Sequence, residues 1–282
     1  MTDLFRGRRL VIATQHQKEQ VLAPVLSQGL GVDCLVINDL DTDQLGTFSG
    51  EVARADDPLT TLRKKCDLAL AAAGVDLVVA SEGSFGPHPT MYFVPADDEL
   101  VMFKDTRYNI ELIGRCLSLD TNFAGQEIES WSAMLAFATQ VRFPSHGLIL
   151  RPSASQYQPI FKGISCEQAL RAAFESLQAQ SPGLVYAETD MRAMYNPTRM
   201  QVIAQAAQQL VTKAQSCCPQ CAMPGFDVIR VNKGLPCEAC AMPTESVRSY
   251  TYGCQHCHYQ QEQLFPHGKE FEDPRYCQYC NP

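Results

Sequence analysis

In the stretch DLVVASEGSFGPHP, residues 76–89, a short aliphatic run leads directly into polar residues. The run from Leu77 to Ala80 has the length and the β-branched content of a buried strand, and Ser81 and Glu82 follow at once. In a sheet covered by helices, ligands bind at the edge where the strands reach their carboxyl ends. The sequence therefore predicts a strand that ends near Ser81 and opens into a loop at a ligand site.

Aliphatic runs of the same kind alternate with longer segments whose apolar residues are spaced by three and four. The predicted strands are residues 9–14, 33–38, 76–81, 99–104, 147–151 and 183–188. The predicted helices are residues 16–30, 58–74, 106–118, 126–140, 166–180 and 196–215. Strand and helix in turn predict an α/β body over residues 1–216, with a mixed or mostly parallel sheet covered by helices.

The composition excludes several classes of protein. The chain has 282 residues, of which 45% are hydrophobic and 19% charged, which is enough to bury a core. The formal net charge of −8 argues against nucleic acid as a partner, because phosphate affinity comes mainly from clustered Lys and Arg. No run approaches the roughly 18 apolar residues that a membrane helix needs. The start of the chain also lacks the apolar stretch of a secretion signal, so we expect a cytoplasmic protein with no membrane partner.

Polar segments follow each of the first three predicted strands, and these segments would meet at one edge of the sheet. The first is ATQHQKE, residues 13–19, which leads into a helix. Free backbone N–H groups at a helix N-terminus bind anions, and Lys18 and Thr14 would add side-chain contacts to a substrate. The alternative is plain capping, with Thr14 as the N-cap and Glu19 in the first turn.

The second polar segment, residues 38–58, exceeds the roughly 12 to 15 residues beyond which loops are usually functional or disordered. Its candidates are Asp43 as a substrate contact and Glu51 as a catalytic group. The alternative is a solvated surface loop in which Asp and Gly form turns.

The third polar segment is SEGSFGPHP, residues 81–89. Glu82 is a candidate metal ligand or general base, and Ser81 is a candidate substrate contact. His88 lies between two prolines in a stiffened loop. It is either an acid/base group or a histidine held in a turn for packing.

A further polar stretch, TDMRAMYNPTR at residues 189–199, follows the last predicted strand. Asn196 fits the N-cap of the next helix and needs no other role. Asp190, Arg192 and Arg199 exceed what capping requires, and two arginines with a carboxylate can clamp a phosphate. An internal ion pair between Asp190 and either arginine is the alternative.

The order of features over residues 9–105 resembles the inosine/xanthosine triphosphate pyrophosphatases. A strand is followed by A-T-x-x-x-K, then by a Thr-, Gly- and Glu-rich loop, a helix with T-x-R-x-x-C, and a strand ending in S-E-G. In that family an early lysine contacts phosphates and acidic residues hold Mg²⁺. The resemblance implies that Lys18 contacts phosphate. It also implies that Glu82 and Glu51 hold a divalent cation, Mg²⁺ or Mn²⁺, or act as the general base.

Beyond residue 216 the composition changes, because nine of the 13 cysteines lie there. Eight of them form C-x-x-C pairs, which are Cys218/Cys221, Cys237/Cys240, Cys254/Cys257 and Cys277/Cys280. Each pair can place two thiolates on one tetrahedral metal, so residues 217–282 are predicted to form a zinc-ribbon-like module with two structural Cys₄ zinc sites. Pairing of the first pair with the second and the third with the fourth fits the usual ribbon spacing, and interleaved or nested pairing remains open.

A second resemblance covers the whole chain. The segments QHQKE, DTDQLGTFSGE, ASEGSFGPHP, TNF and TDMRAMYNPTRM, together with a tail containing CPxC, PCxxC and YCxYCNP, are similar to an uncharacterised bacterial family of unknown function. This resemblance groups the chain but implies no activity.

Two classes of function follow from these features. The first is a metal-dependent hydrolase that acts on a nucleotide or another phosphorylated small molecule. The second is a non-catalytic zinc-ribbon binding or regulatory protein, whose body binds a small anionic ligand. In either case the zinc module is a candidate surface for a protein partner, because closed Cys₄ sites are structural and leave no open position for catalysis.

Overall fold

A computed structural model describes residues 4–37, 56–180 and 183–282. The strands are β1 Arg9–Ala13, β2 Asp33–Val36, β3 Leu77–Pro87, β4 Pro95–Asp105, β5 Ile110–Ser118, β6 Gly125–Ile128, β7 Leu148–Arg151, β8 Phe161–Ile164, β9 Val185–Thr189, β10 Asp227–Lys233, β11 Val247–Gly253 and β12 Gln260–Leu264. The helices are α1 Glu19–Leu30, α2 Pro58–Ala73, α3 Trp131–Gln140, α4 Glu167–Gln180 and α5 Pro197–Gln215. None of these helices is long and apolar enough to cross a membrane.

The first sheet has the strand order β2-β1-β3-β4-β5. β1 is parallel to β2 and β3, whereas β4 pairs antiparallel with both β3 and β5. The sheet is therefore mixed, as predicted. Because β1, β2 and β3 run in the same direction, their carboxyl ends meet at one edge, which we call the carboxyl edge. β1 ends there beside Ala80 while β3 continues past it.

Strand alternation gives this sheet two buried faces. In β1, Leu10 and Ile12 pack with α1 and α5 on one face, whereas Val11 and Ala13 pack with α2 on the other. These four side chains are at most 4% exposed. A strand that is buried on both faces has a continuous run of aliphatic residues in its sequence. This is why β1 could be predicted from the sequence.

Residues 106–118 were predicted to be a helix, and this prediction is wrong. Ile110–Ser118 form β5, an edge strand in register with β4. Ile110 and Leu112 are buried under α5, and a Cβ on Gly114 would overlap the backbone oxygen of Ala206. Short apolar runs fit both periods, and here the hairpin with β4 and the close approach of α5 decide in favour of a strand.

The prediction that the third strand ends near Ser81 is also wrong. β3 continues to Pro87 and pairs with β4 residue by residue, from Leu77 opposite Asp105 to Pro87 opposite Pro95. The polar residues of SEGSFGP therefore lie within a strand that extends beyond the end of β1. Backbone pairing with β4 holds these residues in place more firmly than a loop would.

The predicted strands 147–151 and 183–188 do not join the first sheet. They correspond to β7 and β9 of a separate antiparallel sheet, with the order β6-β9-β7-β8. This sheet packs against α3 and α4 around its own apolar core, which includes Phe137, Leu148 and Phe174. The helix predicted over 126–140 begins only at Trp131, where Ser130 caps it, because the preceding residues form β6.

The cysteine-rich module contains the antiparallel sheet β10-β11-β12. Its first turn packs onto the body, since Met223 contacts the core under α5 and a Cβ on Gly225 would overlap Leu112. A salt bridge of 2.8 Å joins Lys213 of α5 to Asp227. The module is thus anchored on β5 and on the end of α5.

Candidate functional site

The eight paired cysteines form two groups of four. Cys218, Cys221, Cys254 and Cys257 make one group, and Cys237, Cys240, Cys277 and Cys280 make the other. The first pair thus shares a site with the third pair, and the second pair with the fourth. This is the interleaved arrangement, and the sequential pairing that ribbon spacing suggested does not occur. Among the described residues, no other group of His, Cys, Asp or Glu meets the same geometric requirement for a metal.

The sulfur positions fit a tetrahedral metal. Sγ–Sγ distances across the pairs are 3.7 Å for Cys218–Cys257 and 3.6 Å for Cys221–Cys254. They are 3.8 Å for Cys237–Cys280 and 3.7 Å for Cys240–Cys277. Four sulfurs at about 2.3 Å from a zinc ion would be about 3.8 Å apart. Both groups can therefore hold zinc in closed, structural sites, where the metal would supply folding energy.

Each C-x-x-C pair has the same backbone turn. The residue after the second cysteine donates its N–H to the carbonyl of the first cysteine, at 2.8 to 3.1 Å in the four turns. In three of them this residue has a positive φ, namely Ala222, Ala241 and His258. The backbone of each turn thus holds the two cysteines of a pair in a fixed local geometry.

Two of these turns also repeat in sequence, a signal that our sequence reasoning missed. Residues 218–224 read CPQCAMP and residues 237–243 read CEACAMP. The repeated proline takes part in a β-bridge in both turns, to Cys217 and to Pro236 respectively. Although the two turns are alike, they belong to different metal sites, which is consistent with the interleaved arrangement.

A second site lies at the carboxyl edge of the body, where Lys18 is buried. Its Nζ donates to Ser81 Oγ at 3.1 Å. The two residues that precede Lys18 in the chain, His16 and Gln17, both have a left-handed backbone conformation. Left-handed backbone in residues other than glycine is costly and clusters at functional sites. Lys18 itself is the N-cap of α1, whereas Thr14 Oγ1 donates to the carbonyl of Gln15. The capping alternative for Thr14 is therefore not what the structure shows.

Burial and neighbouring cations lower the pKa values of Lys18 and His16. Desolvation and the charge of Arg199 lower the pKa of Lys18 from 10.5 to about 7. Desolvation and the charges of Lys18, Arg199 and Arg192 lower the pKa of His16 to about 4. Both shifts come first from burial, and both show that Lys18 and His16 lie close to other cations.

Glu82 lies at the same edge, on the α2 face of the sheet, and its charge is already paired. Its Oε2 accepts from Lys65 Nζ at 2.5 Å, and both residues are at most 9% exposed. Lys65 comes from α2 and was not identified from the sequence. Because successive side chains of a strand alternate, Glu82 and Ser81 point to opposite faces of β3, and Lys65 neutralises the charge of Glu82.

On the other face, Arg199 of α5 reaches over β3 to Glu99 of β4. Arg199 Nε donates to Glu99 Oε1 at 2.6 Å, and the guanidinium also donates to the carbonyl of Met191. Both side chains are fully buried. Gly83 lies directly opposite Glu99, and a Cβ there would overlap the Glu99 carboxylate. The glycine in S-E-G therefore makes room for this ion pair.

Asp97 lies two residues from Glu99 on the same face of β4 and is 1% exposed. Burial and the adjacent Glu99 carboxylate raise the pKa of Asp97 to about 8. Neither residue was identified from the sequence. A signal was present, since Asp97 and Glu99 continue the alternation of Val101 and Phe103, which face the buried core.

The three residues predicted around 190–199 do not act as one clamp. Arg192 forms a bidentate pair with buried Asp190, at 3.0 and 2.6 Å, while Arg199 pairs with Glu99 instead. Asp190 also accepts from the backbone N–H of Gly163. The internal ion pair is thus the alternative that the structure shows. Asn196 caps α5 by accepting from the N–H of Arg199, as predicted.

His88 lies far from Lys18 and Glu82. It begins the turn between β3 and β4, and its Nδ1 accepts from the backbone N–H groups of Thr90 and Met91 at 3.2 and 3.1 Å. It lies six positions beyond Glu82 along the chain, about 20 Å at strand rise. The two candidates in the second polar segment, Asp43 and Glu51, lie outside the described residues.

Fold and sites together define a class: an α/β body with a buried charged edge and a module with two groups of four cysteines, each able to hold a metal. The chain belongs to the family DUF6671, a domain of unknown function, which matches residues 65–282. The match includes both cysteine groups, Lys65, Glu82, Glu99 and Arg199, while Lys18 precedes it.

No curated protein matches the chain. Among solved structures, the crystal structure of the competence damage-inducible protein A (ComA) from Klebsiella pneumoniae subsp. pneumoniae MGH 78578 is similar, with 18% sequence identity and a TM-score of 0.26. That similarity covers 48% of this chain and 81% of the ComA chain.

Proposed function

We propose that the body is a metal-dependent hydrolase that acts on a nucleotide or another phosphorylated small molecule bound at the carboxyl edge. The observation that carries this proposal is Lys18, which is only 5% exposed and close enough to Arg199 for the two charges to repel, at the edge where parallel strands end. A phosphate would offset the repulsion between these cations. The resemblance of residues 9–105 to inosine/xanthosine triphosphate pyrophosphatases, in which an early lysine contacts phosphate, supports the same assignment.

In this proposal Lys18 and Ser81 contact the phosphate, and Thr14 borders the site. Glu82, paired with Lys65, polarises water or orients Lys65 toward the phosphate. A divalent cation, Mg²⁺ or Mn²⁺, would neutralise the oxygen on which charge develops as the phosphate bond is cleaved. Arg192 stays in its pair with Asp190 and takes part only by adding positive charge near His16.

A second candidate function is ligand binding without turnover, and the Lys65–Glu82 pair favours it. A carboxylate neutralised at 2.5 Å by an ammonium group is a poor general base. In this version the body binds an anion. The zinc module either transmits the binding event to a partner or caps the body. The packing of the module on Leu112 supports a capping role, and a protein partner would use its remaining surface. The thiolates of the zinc sites need reducing conditions, which fits the proposed location in the cytoplasm.

One experiment separates the two candidates. Phosphate and pyrophosphate release from a panel of nucleoside triphosphates is measured with Mg²⁺ or Mn²⁺ on zinc-loaded protein, for wild type, Lys18→Met and Glu82→Gln. Lys64→Met is the matched control, because Lys64 pairs with Asp56 at the surface of the same helix as Lys65. Release that disappears in Lys18→Met but persists in Lys64→Met supports the hydrolase.

Without release, the thermal stability of the body in the presence of each nucleotide decides between the remaining possibilities. A nucleotide that raises the melting temperature of wild type but not of Lys18→Met supports the binding protein. If no nucleotide or pyrophosphate affects either protein, both candidates are wrong.

A further inference from the structure

Asp97 and Glu99 form a pair of adjacent carboxyl groups on one face of β4. Residues two apart on a strand point to the same side of a sheet, and both side chains are buried, at 1% and 0% exposure. Glu99 is opposite Gly83 and Asp97 is opposite Phe85. The pair thus lies over the extended part of β3, on the face that also carries Ser81, the residue to which Lys18 donates.

Only some of the four oxygens of these two carboxyl groups accept hydrogen bonds. Arg199 Nε occupies Glu99 Oε1. Two other oxygens, Asp97 Oδ1 and Glu99 Oε2, are buried and have no hydrogen-bond partner within the described part of the chain. Buried carboxylate oxygens normally accept hydrogen bonds, and an exception in a folded protein calls for an explanation such as a water or an ion.

A divalent cation matches these oxygens. Mg²⁺ is usually held by one or two carboxylates, completes its octahedron with water and binds beside substrate phosphates. We propose that Asp97 and Glu99 form the divalent-cation site of this protein, and that the cation lies between them and a phosphate held by Lys18. The proposal rests on the proposed function for the identity of the anion. It assigns the cation to Asp97 and Glu99, whereas the resemblance to the pyrophosphatases implied Glu82 and Glu51.

A purely structural pair would have a different design. One buried arginine needs one carboxylate, and a second carboxyl group beside the first adds repulsion and desolvation. Replacing Asp97 by asparagine should therefore stabilise the metal-free protein, although it removes a cation ligand. A structural role predicts the reverse, because the variant would then lose a stabilising contact.

The test uses the full zinc-loaded chain and Mn²⁺ alone as the probe. Mn²⁺ affinity is measured by electron paramagnetic resonance, and the melting temperature is measured without Mn²⁺, for wild type, Asp97→Asn and Glu99→Gln. Asp98→Asn is the control, because Asp98 lies between the two residues but points to the other face and pairs with Arg115 at 2.7 Å. Loss of a residue that hydrogen-bonds to a metal ligand lowers metal affinity by about 10- to 100-fold. Loss of the ligand itself should therefore lower it by at least about 10-fold.

The expected result is Mn²⁺ binding by wild type and Asp98→Asn, with at least about 10-fold weaker binding by Asp97→Asn and a melting temperature for Asp97→Asn no lower than that of wild type. Absence of Mn²⁺ binding to wild type, or equal affinity in Asp97→Asn, would overturn the proposal. Asp97→Asn keeps the Arg199–Glu99 pair, so it remains informative even if Glu99→Gln does not fold.

This test is independent of the proposed function. Mn²⁺ binding that depends on Asp97, together with no turnover or anion binding, leaves the cation site standing and removes the hydrolase. Metal-dependent turnover that survives in Asp97→Asn leaves the hydrolase standing and removes the cation site.

Discussion

The zinc module and the carboxyl edge bring polar groups together in opposite ways. In the module, each pair of thiolates comes from one turn of four residues that is closed by a backbone hydrogen bond within the turn. At the carboxyl edge, the charged groups come from segments that are distant in sequence: Lys18 before α1, Lys65 from α2, Glu82 from β3, Glu99 from β4 and Arg199 from α5.

The difference also concerns stability. A structural zinc site contributes about 10 to 16 kcal/mol of apparent binding free energy, which replaces a core in a small module. The carboxyl edge buries charges whose desolvation opposes folding. With zinc bound, the module would derive stability from its thiolates, whereas the body must offset the desolvation of its buried charges with the packing around them. Charge that is kept buried at a cost is typical of functional sites.

The largest effect is expected from cysteine double variants, which test the interleaved arrangement. Cys218→Ala with Cys254→Ala damages a single site, so about one zinc per chain should remain. Cys218→Ala with Cys237→Ala damages both sites and should leave about none. Elemental analysis of the purified proteins measures this, and sequential pairing would give the reverse order of zinc contents.

The next effect concerns the buried ion pair of the carboxyl edge. Arg199→Met leaves Glu99 buried without its partner and should lower the free energy of unfolding by about 3 to 5 kcal/mol. Arg115→Met removes the partner of Asp98 in an ion pair at the surface of the neighbouring strands and should cost at most about 1 kcal/mol. Urea-induced unfolding measures the free energy of unfolding of both variants. Equal decreases would show that burial does not control the strength of these ion pairs.

The same contrast explains what could be predicted from the sequence. The cysteine ligands were evident because C-x-x-C spacing is local, whereas the sharing of sites depends on how the turns meet in space. The start of β3 was evident because strand runs are local too, and the structure adds that Ser81 and Glu82 lie inside this strand, next to the point where β1 ends. Lys65, Glu99 and the pairing of Arg199 with Glu99 depend on how α2, β4 and α5 pack on β3, which the pattern of one segment does not contain.

The errors in secondary structure have a related cause. Ile110–Ser118 can satisfy the spacing of a helix or a strand, and only pairing with β4 decides between them. The continuation of β3 to Pro87 was missed because Gly83 and Gly86 usually indicate a loop. Gly83 is in fact required by the Glu99 carboxylate opposite to it, a reason that exists only in the folded chain.

A smaller and pH-dependent effect is expected at Lys18. Its pKa is lowered from 10.5 to about 7, so below pH 7 both the folded and the unfolded states are protonated and folding carries the full cost of the buried charge. As pH rises above 7, the folded state loses this proton before the unfolded state does, and the free energy of unfolding increases. Lys18→Met should therefore stabilise the protein at pH 6, and its advantage should shrink toward pH 9.

The difference between wild type and variant is the quantity to measure, because Asp97 titrates with the opposite sign. Its pKa is raised from 3.8 to about 8, so its contribution to the free energy of unfolding falls as pH rises toward 8. Urea unfolding at pH 6, 7.5 and 9 gives the difference at each pH, with Lys64→Met as the control whose difference should not change. A constant difference for Lys18→Met would mean that Lys18 keeps its ordinary pKa.

The smallest effect is expected at His88, where the role of a local turn can be separated from that of the carboxyl edge. His88→Ala removes the acceptor for the N–H groups of Thr90 and Met91 and should cost about 1 kcal/mol, since water can replace a partly exposed acceptor. His88→Asn keeps a side-chain acceptor and should recover part of this loss. Nucleotide or Mn²⁺ binding should be the same in both variants, because His88 lies at the far end of β3. A change in binding larger than the change in stability would place the turn in the functional site after all, and would mean that the β3–β4 hairpin bends toward the ligand when it binds.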